Sequence, residues 1–197
     1  MPGVILFSGR EWAVSLALLG MVVLILRRRG RPWRFLLILS GFWLYLTLLI
    51  SLAFFPMPAE SLPWRRNLRH LMRELRWFPF SYLFDPRTTP RLILAEILGN
   101  IAATVPFGFY LPLLWPRARR HMGRWIWLPG LCIEGGQFLL GLLHAPYRTI
   151  DITDVLLNAL GVAVGYGILW TINRPQTADR CRTMDGGGDR QRIQGNE

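Results

Sequence analysis

Seven amide and carboxyl side chains stand inside hydrophobic runs, where hydrocarbon rather than water would surround them: Glu96, Asn100, Glu134, Gln137, Asp151, Asp154 and Asn158. An unpaired polar group there costs several kcal/mol, so repeated placement predicts a shared polar site inside a membrane. Spacing turns each set one way: Glu96 and Asn100 are four apart, Glu134 and Gln137 three apart, and Asp151, Asp154 and Asn158 fall at i, i+3 and i+7. As a binding surface, the amides supply directional hydrogen bonds while the carboxylates select hydroxyl-rich or cationic groups. As a catalytic surface, Glu134 or Asp154 would serve as general acid or base, Arg148 would clamp an anionic group, and Asn100 and Gln137 would position a substrate. Four carboxyls against the one nearby cation, Arg148, need compensation by protonation, a bound cation, a basic ligand group or water. Pairing with Asp151 or Asp154 is the expected structural use of Arg148. Interhelical hydrogen bonding explains one or two such residues, but seven at one depth favour a site.

The elements that must position these groups are transmembrane helices. Five apolar runs, residues 8–26, 35–55, 92–114, 125–143 and 150–172, are long enough for a core of roughly 30 Å at about 1.5 Å per residue. The first needs Arg10 and Glu11 at its edge to reach that length. The third is interrupted by Pro106, and Pro106-Phe107-Gly108 marks either a broken helix lining the site or a plain kink. Arg27, Arg28, Arg29, Arg31 and Arg34 fall between runs one and two, and Arg117, Arg119, Arg120 and Arg124 between runs three and four. With Arg174, Arg180 and Arg182 in the tail, all lie on one side of a five-span chain, which the positive-inside rule makes cytoplasmic. The N-terminus is then outside and the C-terminus inside. The outer loop 56–91 also holds seven arginines; Trp64, Leu68, Leu71, Met72 and Leu75 at helical spacing, with Arg65, Arg66, Arg69, Arg73 and Arg76 opposite, predict an amphipathic interfacial helix. Measured from the outer edge, Glu96 and Asp154 lie roughly 6 Å deep, Gln137 about 9 Å, Asn100 and Asn158 about 12 Å and Glu134 about 13 Å, with Asp151 at the edge. Gly99, Ala102, Gly135, Gly136 and the Gly161-x-x-x-Gly165 pair would let helices approach closely beside these stripes.

Composition agrees with an all-α, polytopic bundle of about five spans. The 197 residues are 52% hydrophobic in long runs, which excludes an ordinary soluble enzyme. The formal net charge is +11 and every basic residue is arginine, but these crowd into connections and suit anionic lipid head groups rather than nucleic acid. Cys132 in an apolar run and Cys181 in the tail indicate neither a disulfide framework nor a thiolate metal site. His144 has no second histidine at ligand spacing, so no metal and no cofactor is expected. Residues 1–34 read as a first helix with a basic cytoplasmic loop, 35–172 as the helical membrane domain, and 173–197 as a disordered cytoplasmic tail.

Three blocks carry a resemblance. Leu98-Gly99-Asn100-Ile101 leads to Pro106-Phe107-Gly108-Phe109; Glu134-Gly135-Gly136-Gln137 follows; and Arg148-x-x-Asp151-x-x-Asp154 continues to Asn158 and Gly161. In order and spacing this resembles the VanZ-like family, named for a glycopeptide (teicoplanin) resistance protein, over about residues 78–170. The family often shows Asn-x-x-Pro-Phe upstream; here Trp77-Phe78-Pro79-Phe80 follows Arg76, and that asparagine is absent. The resemblance implies a multi-pass protein of the bacterial plasma membrane that influences susceptibility to glycopeptide antibiotics. Joined to the polar stripes, it gives an expected ligand site of Glu96, Asn100, Glu134, Gln137, Arg148, Asp151, Asp154 and Asn158. The expected partners are membrane lipids, a lipid-linked cell-wall precursor or a lipoglycopeptide. An intramembrane enzyme on lipid-linked phosphate or glycosyl substrates and a proton- or cation-coupled transporter are the rivals, and whether a reaction is catalysed stays open, as does the oligomeric state.

Overall fold

The computed structural model describes residues 4–60, 63–84, 88–144 and 149–173. Two units divide within the last helix, Met1–Tyr166 and Gly167–Glu197, and all of the site belongs to the first. The architecture is an all-α bundle. The helices are α1 (Gly9–Arg28), α2 (Trp33–Phe54), α3 (Trp64–Glu74), α4 (Pro90–Leu114), α5 (Met122–Trp125), α6 (Leu128–Leu143) and α7 (Ile152–Ile172). One short antiparallel pair, β1 (Val4–Ile5) with β2 (Met57–Pro58), ties the segment before α1 to the segment after α2.

Local chemistry sets the ends of the first two helices. Ser8 caps α1, accepting from the Arg10 amide at 3.3 Å, while the Glu11 carboxylate accepts from the Ser8 amide at 2.8 Å, a reciprocal capping box. At the other end Gly30, with φ of 78°, closes a Schellman turn: its amide donates to Arg27 O at 3.0 Å and the Arg31 amide to Leu26 O at 3.1 Å. The chain therefore reverses at once, and α2 packs antiparallel on α1.

Helices α1, α2, α4 and α7 are each long and apolar enough to cross a bilayer. The fourth sequence run differs from its expectation of one helix over 125–143. It is a broken pair, Pro116–Trp125 and Leu128–Leu143, bent by 57°, which makes a fifth span when counted as one. The break has a cause: Pro129, in the first turn of α6, lacks the amide that would continue the ladder from α5. By contrast α4 runs unbroken through Pro106 and Pro112, so the broken-helix alternative for Pro106-Phe107-Gly108 is set aside. The Tyr45 hydroxyl donates to Ala103 O at 2.8 Å, giving a carbonyl in the turn before Pro106 a partner from α2.

Large apolar side chains on the outer faces, among them Val14, Leu37, Leu98 and Leu139, are more than half exposed, as a lipid-facing surface requires. The packed apolar core sits toward the C-terminal half of α4, where Phe107, Leu111, Ala118, Met122 and Val162 cluster, with Phe42, Tyr45 and Tyr166 against them. The polar residues lie at the other end of the bundle.

Candidate functional site

Close backbone approach brings α4 and α7 together. A Cβ on Gly161 would lie 2.2 Å from Ile101 O and 2.2 Å from Thr104 Oγ1, and one on Gly165 would lie 1.9 Å from Val105 O. From the other side, a Cβ on Gly108 would meet Val162 O at 2.0 Å. Glycine is thus required on both helices, as small residues commonly are where transmembrane helices touch. Gly136 similarly admits the Phe54 ring from α2, whereas a Cβ at Gly99 or Gly135 meets nothing within 4 Å, so those two are not packing glycines.

The polar stripes of α4, α6 and α7 consequently border one cavity of about 550 Å³, closed on a further side by Leu49, Leu52 and Ala53 of α2. Glu96, Asn100, Glu134, Gln137, Asp154 and Asn158 line it, and so do Arg76 and Thr149. Hydrogen bonds connect the helices across it. Asn100 Nδ2 donates to Asp154 Oδ1 at 2.7 Å, and Gln137 Nε2 donates to Ala53 O near the end of α2 at 2.9 Å. The Asp151 amide donates to Glu134 Oε2 at 3.2 Å. Beneath these, Thr104 is wholly buried and its hydroxyl contacts Asn158 O at 2.7 Å. Asn158 stands apart: it is 1% exposed, yet neither Nδ2 nor Oδ1 has a hydrogen-bond partner among the described residues. A buried amide left in that condition calls for an explanation, because its desolvation is not offset.

One wall comes from outside the long helices. The segment after α3 runs beside the start of α7, with the Arg76 amide donating to Ile150 O at 3.0 Å and the Ile152 amide donating to Arg76 O at 3.2 Å. Further on, the Phe80 amide donates to the Thr153 hydroxyl at 2.8 Å, holding Phe80 at φ of 59°, a conformation bulky residues adopt only when their surroundings enforce it. These bonds carry the Arg76 guanidinium over the site, 3.6 Å from Asp151 Oδ2. Asp151 also caps α7, its Oδ1 accepting from the Thr153 amide at 2.8 Å. It is 2% exposed and does not line the cavity; its carboxylate serves the helix start and Arg76.

Arg76 was expected on the exposed face of the amphipathic helix, with Arg148 as the nearby cation. Instead α3 ends at Glu74 and, among the described residues, Arg76 brings a guanidinium to the cavity, while Arg148 lies outside them. The expected pairing of Arg148 and the tail from residue 174 onward also fall outside them. The available signal for Arg76 was positional, since it occupies the place where the family-like Asn-x-x-Pro-Phe segment carries asparagine. Thr104 also had a signal, because it extends the Glu96, Asn100 stripe by another four residues. Asn67 had a weak one: three residues after Trp64 and four before Leu71, it borders the apolar face of α3, and it is buried, its Nδ2 donating to Leu142 O at 3.0 Å and His144 O at 2.8 Å and closing the carbonyl end of α6. Among the described residues, no three His, Cys, Asp or Glu side chains are placed to hold a metal ion.

Bundle, lipid-facing surface and span lengths define a multi-pass helical membrane protein carrying a polar cavity toward one end. No curated protein and no solved structure matches the chain. The family model VanZ/LLP1 matches residues 42–173, two thirds of the sequence and every helix that borders the cavity, and the chain belongs to that family.

Proposed function

We propose that the cavity receives the head group of an envelope lipid or lipid-linked glycan from the outer face of the bacterial plasma membrane. The observation that carries this reading is the lining itself, in which, among the described residues, three carboxyls, three amides and one guanidinium from α4, α6, α7 and the Arg76 segment meet around about 550 Å³. Such a wall offers donors and acceptors in several directions, which suits a hydroxyl-rich or amine-bearing head group and not an acyl chain. Chain direction supports the orientation. The arginine-rich connections α1–α2 and α4–α6 share the end opposite the cavity, and the positive-inside rule assigns that end to the cytoplasm. The N-terminus is then outside, α3 lies at the outer interface, and the site opens where glycopeptide antibiotics act. An influence on teicoplanin-type susceptibility follows as the family-level expectation.

A second reading has one observation in its favour: Glu134 and Asp154, the candidate acid–base groups, border the same cavity as Arg76, a candidate clamp for a phosphate. Product formation from undecaprenyl-linked lipids by the purified protein separates catalysis from binding.

The test is lipid identification by mass spectrometry on wild type and Asp154→Asn purified identically. The binding reading expects a defined head-group class on the wild type and its depletion from the variant. The same lipid complement on both would reject it.

A further inference from the structure

At the end of the bundle remote from the acidic cavity, the turn between α4 and α6 encloses a second cavity of about 510 Å³. Arg117, His121 and Arg124 stand around it, together with Trp115, Trp125, Trp127 and the first apolar residues of α6, Leu128 and Leu131. No Asp or Glu occurs between residues 97 and 133, and among the described residues none of these cations is ion-paired. The 57° bend between Pro116–Trp125 and Leu128–Leu143 is what makes the turn concave. Trp115 and Trp125 meet edge to face at 5.1 Å, so part of the wall is a packed pair of indoles. Tryptophans belong at the level of lipid head groups, and Leu131, 59% exposed, continues the cavity onto the lipid-facing side of α6. The lining thus joins cations, indoles and exposed apolar side chains, the three kinds of surface that an anionic lipid needs.

We propose that this cavity is a binding site for one anionic phospholipid, its phosphate held by Arg117, His121 and Arg124 and its acyl chains lying over Leu128 and Leu131. The site is separate from the acidic cavity and its occupancy does not depend on what that cavity binds. The basic turn between α1 and α2 provides the contrast. There Arg27 stacks over Trp33 at 4.7 Å and Arg31 over Phe35 at 5.2 Å, so these guanidiniums cover aromatic rings instead of surrounding a space.

Native mass spectrometry of the full chain, given phosphatidylglycerol or phosphatidylcholine with the same acyl chains, tests the proposal. Wild type should retain phosphatidylglycerol about tenfold more than phosphatidylcholine, and Arg117→Gln/Arg124→Gln should lose that preference. Arg28→Gln/Arg29→Gln removes the same charge on the same side and should keep it. Leu131→Trp, which leaves every charge in place, should reduce retention by obstructing the acyl path. Equal retention of the two lipids by wild type, an equal loss in the Arg28/Arg29 control, or full retention in Leu131→Trp would each overturn the assignment.

Discussion

Two sets of buried polar groups in this protein behave differently. Between α1 and α2, Ser15, Trp43 and Thr47 form a closed knot: Ser15 and Thr47 hydroxyls meet at 2.7 Å, Trp43 Nε1 donates to Ser15 Oγ at 2.9 Å, and the Thr47 hydroxyl contacts Trp43 O at 3.0 Å. Each side chain there is satisfied by the others, and the groove beside it is lined largely by apolar residues. That is polar glue between helices. Around the acidic cavity Asn158 keeps both amide atoms without a hydrogen-bond partner among the described residues, and Arg76 reaches 3.6 Å from Asp151 with its side chain still 34% exposed. The difference teaches that number and depth of polar residues do not by themselves separate a set closed by its own hydrogen bonds from one with hydrogen-bonding capacity left over.

The largest change comes from breaking the frame that makes the cavity. Gly161→Leu, forced against Ile101 O and Thr104 Oγ1, should destabilise by roughly 3 kcal/mol or more, read as a lowered Tm in detergent and loss of monodisperse protein. Asp151→Ala removes the cap of α7 and should cost about 1–2 kcal/mol, with Asp151→Asn recovering most of it because an amide oxygen also caps. Thr47→Val opens the knot between α1 and α2 and should lower stability by about 0.6 kcal/mol without altering bound lipid. Gly99→Leu is the reverse case. Its Cβ has open space and the residue lines the cavity, so stability should stay within about 0.5 kcal/mol of wild type, read as a nearly unchanged Tm, while bound lipid falls.

Much of the helical framework could be read in the residues because an apolar run is a local property. The expected run 8–26 corresponds to Gly9–Arg28, 35–55 to Trp33–Phe54, 92–114 to Pro90–Leu114 and 150–172 to Ile152–Ile172. The amphipathic spacing around Leu68 and Leu71 likewise corresponds to α3, whose Leu71 packs at Gly141 of α6. What escaped was set by distant partners. Arg76 looks like one more arginine of a charged face until Ile150 and Ile152, more than seventy residues later, fix its backbone. Asn67 borders the apolar face of α3, but nothing local says that the last carbonyls of α6 will meet its amide. The two prolines act in opposite senses: Pro106 is carried within an intact helix supported by Tyr45, whereas Pro129 begins one after a sharp bend. For the cavity, residue spacing gave the stripes and their common end, but not which carboxyl would be used internally, as Asp151 is.

The decisive measurement is bound lipid per protein in Asn158→Leu, by native mass spectrometry beside wild type and Thr47→Val after identical purification, with Tm recorded on each sample. Replacing an unpartnered buried amide by an apolar side chain of similar shape should leave Tm unchanged or slightly raised. The account predicts that Asn158→Leu loses the head-group lipid at undiminished Tm while Thr47→Val keeps it. An Asn158→Leu protein that retains the full lipid complement and unfolds more readily would make Asn158 an adhesive residue and contradict the account.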